Sequence, residues 1–167
     1  PDATEDEYQQ VIYRKTARLF EAGAQIASVL ADCDPVVEAA MVHYGQSLGT
    51  AFQLVDDALD FNASSEELGK NLGDDLAEGK ATLPLIYAMQ VGTENERALI
   101  RKAIVDGGLE QMDAIQSIFE STGALAYTER RAHEAADQAI AALADIPGSE
   151  HKQALISIAE FAVKRRS

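Results

Sequence analysis

The stretch that most constrains the chain is Phe52-Gln53-Leu54-Val55-Asp56-Asp57-Ala58-Leu59-Asp60. On a helix advancing about 100° per residue, Gln53, Asp56, Asp57 and Asp60 fall within one third of the circumference. Leu48, Phe52, Val55, Ala58 and Leu59 occupy the opposite arc. Such a helix must bury one side against other apolar surfaces, while its other side gathers three carboxylates that repel one another unless a cation sits among them. The rest of the chain has to supply both the packing partners and the positive charge.

Helical patterns run through nearly all of it. Thr4 and Glu7 have the spacing of a capping box and precede Tyr8, Val11, Ile12, Leu19, Gly23, Ile26 and Leu30 at helical intervals, which predicts one long helix over about residues 5–31. Lys15 and Thr16 fall inside the arc of those apolar residues. Lys15 reads either as a snorkelling side chain or as a cation paired with a buried anion. Asp34 as N-cap and Pro35 in the first turn start a second helix that continues through the acidic stripe to about residue 61. Gly45 and Gly49 share the wheel sector of Asp56 and Asp60 and read as small residues for close helix packing, the alternative being room for a substrate tail. His43 points away from the stripe and reads as an ordinary histidine.

Between Asn62 and Ala81 the glycines Gly69, Gly73 and Gly79 interrupt any period, so the segment is expected to be a long loop of the lid or binding kind. Glu66, Glu67 and Glu78 read as solvated charges there. Lys70 and Lys80, each directly after a glycine, suit a phosphate grip. Thr82 is placed to cap the next helix, with Pro84 in its first turn and Leu85, Ile86 and Met89 as core. Further helices are predicted over about residues 93–105, 109–121, 124–144 and 150–165, broken at Gly107-Gly108, Gly123 and Pro147-Gly148. Leu109, Met112, Ile115, Ile118 and Phe119 read as core, while Ala132, Ala135, Ala136, Ala139 and Ile140 invite close packing. No strand-like alternation and no internal repeat appears, so the fold class is all-α, an antiparallel helix bundle.

A chain of 167 residues with 47% hydrophobic residues is sized for one domain or a substantial part of one. Its formal net charge of −14 argues against nucleic acid, whose phosphates need clustered Lys and Arg, and favours a metal cation as partner. Cys33 is the single cysteine; it is expected to be a small buried apolar residue in a reducing, cytoplasmic protein. No apolar run approaches the ~18 residues of a membrane span. The chain opens on Pro1 rather than Met, which suggests a processed or truncated piece.

An aspartate pair with a third aspartate one turn later offers hard oxygen ligands suited to Mg²⁺, an ion that commonly joins carboxylates to phosphate oxygens. Cys and His at zinc-binding spacing are absent. With Lys15, Lys70 and Lys80 the set could hold a diphosphate and activate it as a leaving group by neutralising charge as a C–O bond breaks, with no nucleophilic side chain involved.

Residues 49–61, Gly-Thr-Ala-Phe-Gln-Leu-Val-Asp-Asp-Ala-Leu-Asp-Phe, followed by Leu-Gly-Lys-Asn-Leu-Gly-Asp-Asp-Leu and Glu-Gly-Lys-Ala-Thr-Leu-Pro-Leu, resemble the second aspartate-rich region of trans-isoprenyl diphosphate synthases. Tyr-Arg-Lys-Thr-Ala-Arg-Leu-Phe-Glu upstream is similar to that family's Lys-Thr helix. Within the family the chain looks closest to the bacterial octaprenyl diphosphate synthases that make the ubiquinone side chain. The resemblance implies the isoprenoid synthase fold and repeated condensation of isopentenyl diphosphate onto an allylic diphosphate. It matches Asp56 to the principal Mg²⁺ ligand, with Asp57 and Asp60 completing the set directly or through water. It matches Lys15, Lys70 and Lys80 to contacts with the allylic diphosphate, Thr16 and Gln53 to polar groups near the developing allylic cation, and Phe52 to an aromatic neighbour of isopentenyl diphosphate. The departing diphosphate is expected to take the final proton, and the family is usually homodimeric. Its members run to roughly twice this length, with a first aspartate-rich motif ahead of the Lys-Thr helix. Residues 1–167 are therefore expected to be the C-terminal portion of a single isoprenoid synthase domain, unable to turn over alone. Three other readings compete: a noncatalytic subunit of a heteromeric synthase, a terpene cyclase, and an acidic helical interaction module.

Overall fold

A computed structural model describes residues 2–62 and 73–164, apart from the side chain of Leu109. Its elements are α1 (Glu5–Ile12), a π-helical turn (Tyr13–Ala17), α2 (Arg18–Leu30), α3 (Pro35–Leu59), α4 (Asp74–Ala77), α5 (Leu83–Val91), α6 (Glu94–Asp106), a 3₁₀ turn (Leu109–Gln111), α7 (Met112–Thr122), α8 (Ala124–Ala142) and α9 (Glu150–Lys164). No strand occurs among the described residues, and none of their helices is long and apolar enough to cross a membrane. The all-α expectation holds.

Local chemistry accounts for several of the helix ends. Thr4 and Glu7 form the expected capping box: the Glu7 N–H donates to the Thr4 hydroxyl and the Thr4 N–H to the Glu7 carboxylate. Asp34 Oδ1 accepts from the N–H groups of Val36 and Val37 at the start of α3. A second capping box, Thr93 with Glu96, opens α6. Gly107 and Gly123 close α6 and α7 in the left-handed conformation that glycine adopts without strain. At α5 the structure differs from expectation. Thr82 occupies the N-cap position but makes no cap bond, and its buried hydroxyl has no hydrogen-bond partner.

Two compact units form. The first comprises the residues up to Gln9 with Asp56–Glu129. Its core joins Phe61 and Leu76 to Leu85 and Met89 of α5, Ile100 and Ile104 of α6, and Ile115 and Phe119 of α7. Phe61 meets Phe119 edge to face, with ring centroids 5.1 Å apart. The second unit comprises Gln10–Val55 and, among the described residues, 130–164. Here Tyr44 and Leu48 of α3 pack with Ala139, Leu143, Ala159 and Ala162, and Ala51 with Ala135 and Ala136, so the alanine-rich helix α8 does allow close approach.

The stretch expected as one long helix is continuous from α1 to α2 but carries the π turn at its middle. A π turn closes i to i+5 and holds roughly one residue more than an α turn, so side chains beyond it are rotated away from the positions a uniform wheel assigns. Lys15 lies in this turn and is exposed, which corrects its placement on an inward face. Leu19, Ile26 and Leu30, expected as core, are 77%, 58% and 82% exposed. A Cβ built on Gly23, on the same face of α2, would meet nothing within 4 Å. Cys33 is half-buried rather than buried.

Candidate active site

The last turns of α3 are more enclosed than a two-faced helix would be. Gln53 and Asp57, assigned to the polar arc, are both buried, as are Leu54, Val55 and Ala58; Asp56, Leu59 and Asp60 are half-buried. Burial of the polar positions is tolerated because each finds a partner.

In the first unit, the Tyr8 hydroxyl of α1 donates to Asp57 Oδ2 at 2.5 Å, with both side chains almost fully buried. Burial, and next the adjacent Asp57 charge, drive the Tyr8 phenol far above its ordinary range, so it remains a donor. Asp60 is held from the other direction: its carboxylate accepts the Asp75 N–H at 3.1 Å and its carbonyl accepts the Gly73 N–H at 2.8 Å. Gly73, in the left-handed region at φ 78°, starts α4 there. The expected long loop thus contains a short helix whose first turn comes back to Asp60. Burial is the main reason that the Asp60 carboxyl is pushed up to about 6, and the charges of Asp75 and Asp74 push the same way. Asp75 also binds Lys80, whose ammonium lies 2.7 Å from Asp75 Oδ1 and 2.5 Å from Glu78 Oε2. These bonds, Asp75's first, raise the Lys80 ammonium above its usual range. Glu78, expected as a solvated charge, is a partner of Lys80. Asp60 and Lys80 therefore share Asp75 as a common neighbour. Lys70, Glu66 and Glu67 lie outside the described residues.

In the second unit, the Thr16 hydroxyl donates to Gln53 Oε1 at 2.6 Å, which brings together two residues singled out from the sequence. Phe52 packs against Phe20 with ring centroids 5.6 Å apart. Gly45 and Gly49 are buried where α3 meets the preceding helix. Added Cβ atoms would lie 2.6 Å from the Phe20 carbonyl oxygen and 2.6 Å from Ala17 Cα. Their packing reading holds.

Among the described residues no three His, Cys, Asp or Glu side chains converge into a group able to hold a metal ion. Asp57 accepts from Tyr8, and Asp60 accepts from the start of α4. A half-buried, all-oxygen donor set that stops short of a cage nevertheless fits Mg²⁺, which is usually held by one or two carboxylates and completed by water and substrate phosphate. Two participants escaped the sequence pattern. Tyr8 was counted as an apolar helix position, the only sign of more being a hydroxyl that needs a partner when buried. Asp75 carries no separate signal in the sequence.

The sequence matches the family model described as polyprenyl synthetase over residues 1–122. It is 51% identical over 166 residues to octaprenyl diphosphate synthase of Escherichia coli, an alignment covering 99% of this chain and 51% of that protein. It is 43% identical over 165 residues to the all-trans-nonaprenyl-diphosphate synthase (geranyl-diphosphate specific) of Rhodobacter capsulatus, covering 99% of this chain and 50% of that one. In structure it resembles the polyprenyl synthase of Caulobacter crescentus crystallised with calcium and isoprenyl diphosphate, with a TM-score of 0.91 and 39% identity over 99% of this chain and 51% of that one. The chain spans about half the length of the curated relatives it matches.

Proposed function

The chain belongs to the polyprenyl synthetase family, and from that premise we propose that its residues form part of a prenyltransferase site joining isopentenyl diphosphate to an allylic diphosphate. Its helices have the isoprenoid synthase fold expected from the resemblance. The observation that carries the reading is the Asp60–Asp75–Lys80 arrangement, which puts a half-buried carboxylate and a lysine able to grip phosphate on one neighbour.

Asp56 would hold Mg²⁺, with Asp57 and Asp60 adding oxygens directly or through water; that the Caulobacter enzyme was crystallised with both calcium and isoprenyl diphosphate is consistent with such a donor set. When bound, Mg²⁺ neutralises the charge that builds on the departing diphosphate. Lys80 contacts that diphosphate by exchanging a carboxylate partner for a phosphate oxygen, and Lys15 and Lys70 add further cations. The Thr16 hydroxyl spends its proton on Gln53, so the lone pairs of its oxygen remain to face a developing allylic cation. Phe52 lines the isopentenyl side. The final proton leaves with the diphosphate, and no side chain is required as base. The octaprenyl product, its use in a ubiquinone side chain, a homodimer and a cytoplasmic location complete the proposal; of these, product length is the most open to test, since relatives at 51% and 43% identity differ in it.

Calorimetric titration of inorganic diphosphate into the chain, with and without Mg²⁺, tests the site. Mg²⁺-dependent binding that Asp56→Ala removes is expected. Heat that is the same with and without the metal, or unchanged in Asp56→Ala, contradicts the reading. No elongation of an allylic primer is expected from these 167 residues by themselves.

A further inference from the structure

Tyr8 and Asp57 make a bond that the reaction as proposed does not use. The two residues lie 49 positions apart in sequence, and their side chains are 5% and 2% exposed. An apolar side chain would fill the same space with no polar group to satisfy, as the equally buried Ile12 of the same helix does. Asp57, however, cannot be buried without compensation. A short O–H···O⁻ bond is among the stronger hydrogen bonds available to it. Asp57 follows Asp56 directly and precedes Asp60 by three residues. The end of α3 is consequently held at two points: α1 grips it through Tyr8 and Asp57, and the start of α4 grips it through Asp60.

We propose that Tyr8 is a positioning residue for the acidic cluster: its hydroxyl holds Asp57 and so sets the direction in which Asp56 and Asp60 present their oxygens. This rests on the metal–diphosphate reading above. Removing the hydroxyl takes from Asp57 a short bond made across 49 positions, and with it a constraint on the direction of the carboxylate and of the turn that carries it. Partners that orient metal-binding carboxylates in this way typically change metal affinity by about 10- to 100-fold when lost.

The experiment compares wild type, Tyr8→Phe, Asp57→Ala, the double variant, and Tyr127→Phe as control. Tyr127 also bonds a carboxylate of α1 within the same unit, its hydroxyl donating to Glu5 Oε2 at 2.7 Å, but Glu5 is no part of the proposed site. Each protein is checked for helicity and melting temperature, and the Mg²⁺ concentration giving half-maximal binding of inorganic diphosphate is measured. Hydrogen exchange at the amides of residues 57–61 is followed without metal. Tyr8→Phe is expected to raise the Mg²⁺ midpoint about tenfold and to speed exchange at those amides. In the Asp57→Ala background, the same change should add less than about twofold. Tyr127→Phe should lower the melting temperature comparably and leave the midpoint within about twofold. A midpoint for Tyr8→Phe within twofold of wild type, or an equal effect with and without Asp57, overturns the positioning role alone. Absence of Mg²⁺-dependent diphosphate binding by the wild type overturns the underlying site reading and this inference with it. Should Asp57→Ala fail to fold, the comparison of Tyr8→Phe with Tyr127→Phe decides.

Discussion

Gly49→Ala tests how the second unit is put together. The added methyl would stand 2.6 Å from Ala17 Cα and 3.1 Å from two Phe20 side-chain carbons. Contact at 2.6 Å with a backbone atom cannot be relieved by turning a side chain, so one helix must move away from the other. Two effects compete. Alanine is the better helix former by about 1 kcal/mol. Overpacking a filled contact typically costs about 1–3 kcal/mol, and a backbone clash belongs at the upper end. The clash should win by about 1–2 kcal/mol, which for a protein of this size lowers the melting temperature by about 3–8 °C. Because Ala17 follows Thr16 directly, the same movement should loosen the 2.6 Å bond from Thr16 to Gln53. Gly23→Ala supplies the opposite case: nothing lies within 4 Å of the new methyl, so only the helix gain remains. It should stabilise by about 0.5–1 kcal/mol. Thermal unfolding followed by far-ultraviolet circular dichroism reads both. If Gly49→Ala melts at or above wild type, or if both substitutions shift stability in the same direction, the close-packing argument fails.

Two further outcomes are expected. The Asp60 carboxyl, pushed up to about 6, keeps its proton in the folded chain at a pH where the unfolded chain has released it. Metal-free stability should therefore fall as pH rises from about 4 to about 6 and level off above, the reverse of an ion-paired carboxylate. Discounted for the solvent that reaches Asp60, this amounts to about 1–2 kcal/mol. Urea unfolding across that range should show the slope in wild type and lose it in Asp60→Asn; parallel curves would contradict the assignment. Phe119→Ala removes a buried ring that meets Phe61 edge to face. It should destabilise by about 3–5 kcal/mol in urea unfolding, and a loss below about 1 kcal/mol would show that this core can collapse around the gap.

What the sequence made legible was whatever depends on near neighbours in the chain. The capping residues Thr4, Glu7 and Asp34, the left-handed stops at Gly107 and Gly123, and the core positions Met112, Ile115, Ile118 and Phe119 all follow from spacing and backbone chemistry. Periodicity failed where it was asked for more. It identifies Leu19, Ile26 and Leu30 as one apolar face but is silent on what covers that face. A uniform wheel also misplaced Lys15, because five residues at Tyr13–Ala17 take a wider turn that no residue there announces. The aspartates of the proposed site were visible as a charge pattern, whereas the bonds they make were not. Tyr8 reaches Asp57 across 49 positions, and Asp75 reaches Asp60 across 15. Contacts of that range are set by packing rather than by spacing.

The position of Lys80 bears on how metal and diphosphate would act together on the proposed reading. Its ammonium already bonds Asp75 and Glu78, and Asp75 lies against Asp60, whose carboxyl is pushed up by burial and further by the Asp75 and Asp74 charges. A diphosphate arriving without metal would have to take Lys80 from Asp75, leaving that carboxylate uncompensated beside Asp60. It would bring more negative charge to the same place. A divalent cation held by the aspartates of α3 would offset both penalties by supplying positive charge at the acidic end of that helix. Lys80 is then free to turn to the phosphate. The two ligands should therefore bind with positive coupling, each raising the affinity of the other by the same factor. Replacing Asp75 by Asn should weaken that coupling, because Lys80 would then be less firmly held when the metal is absent and diphosphate alone would bind more readily.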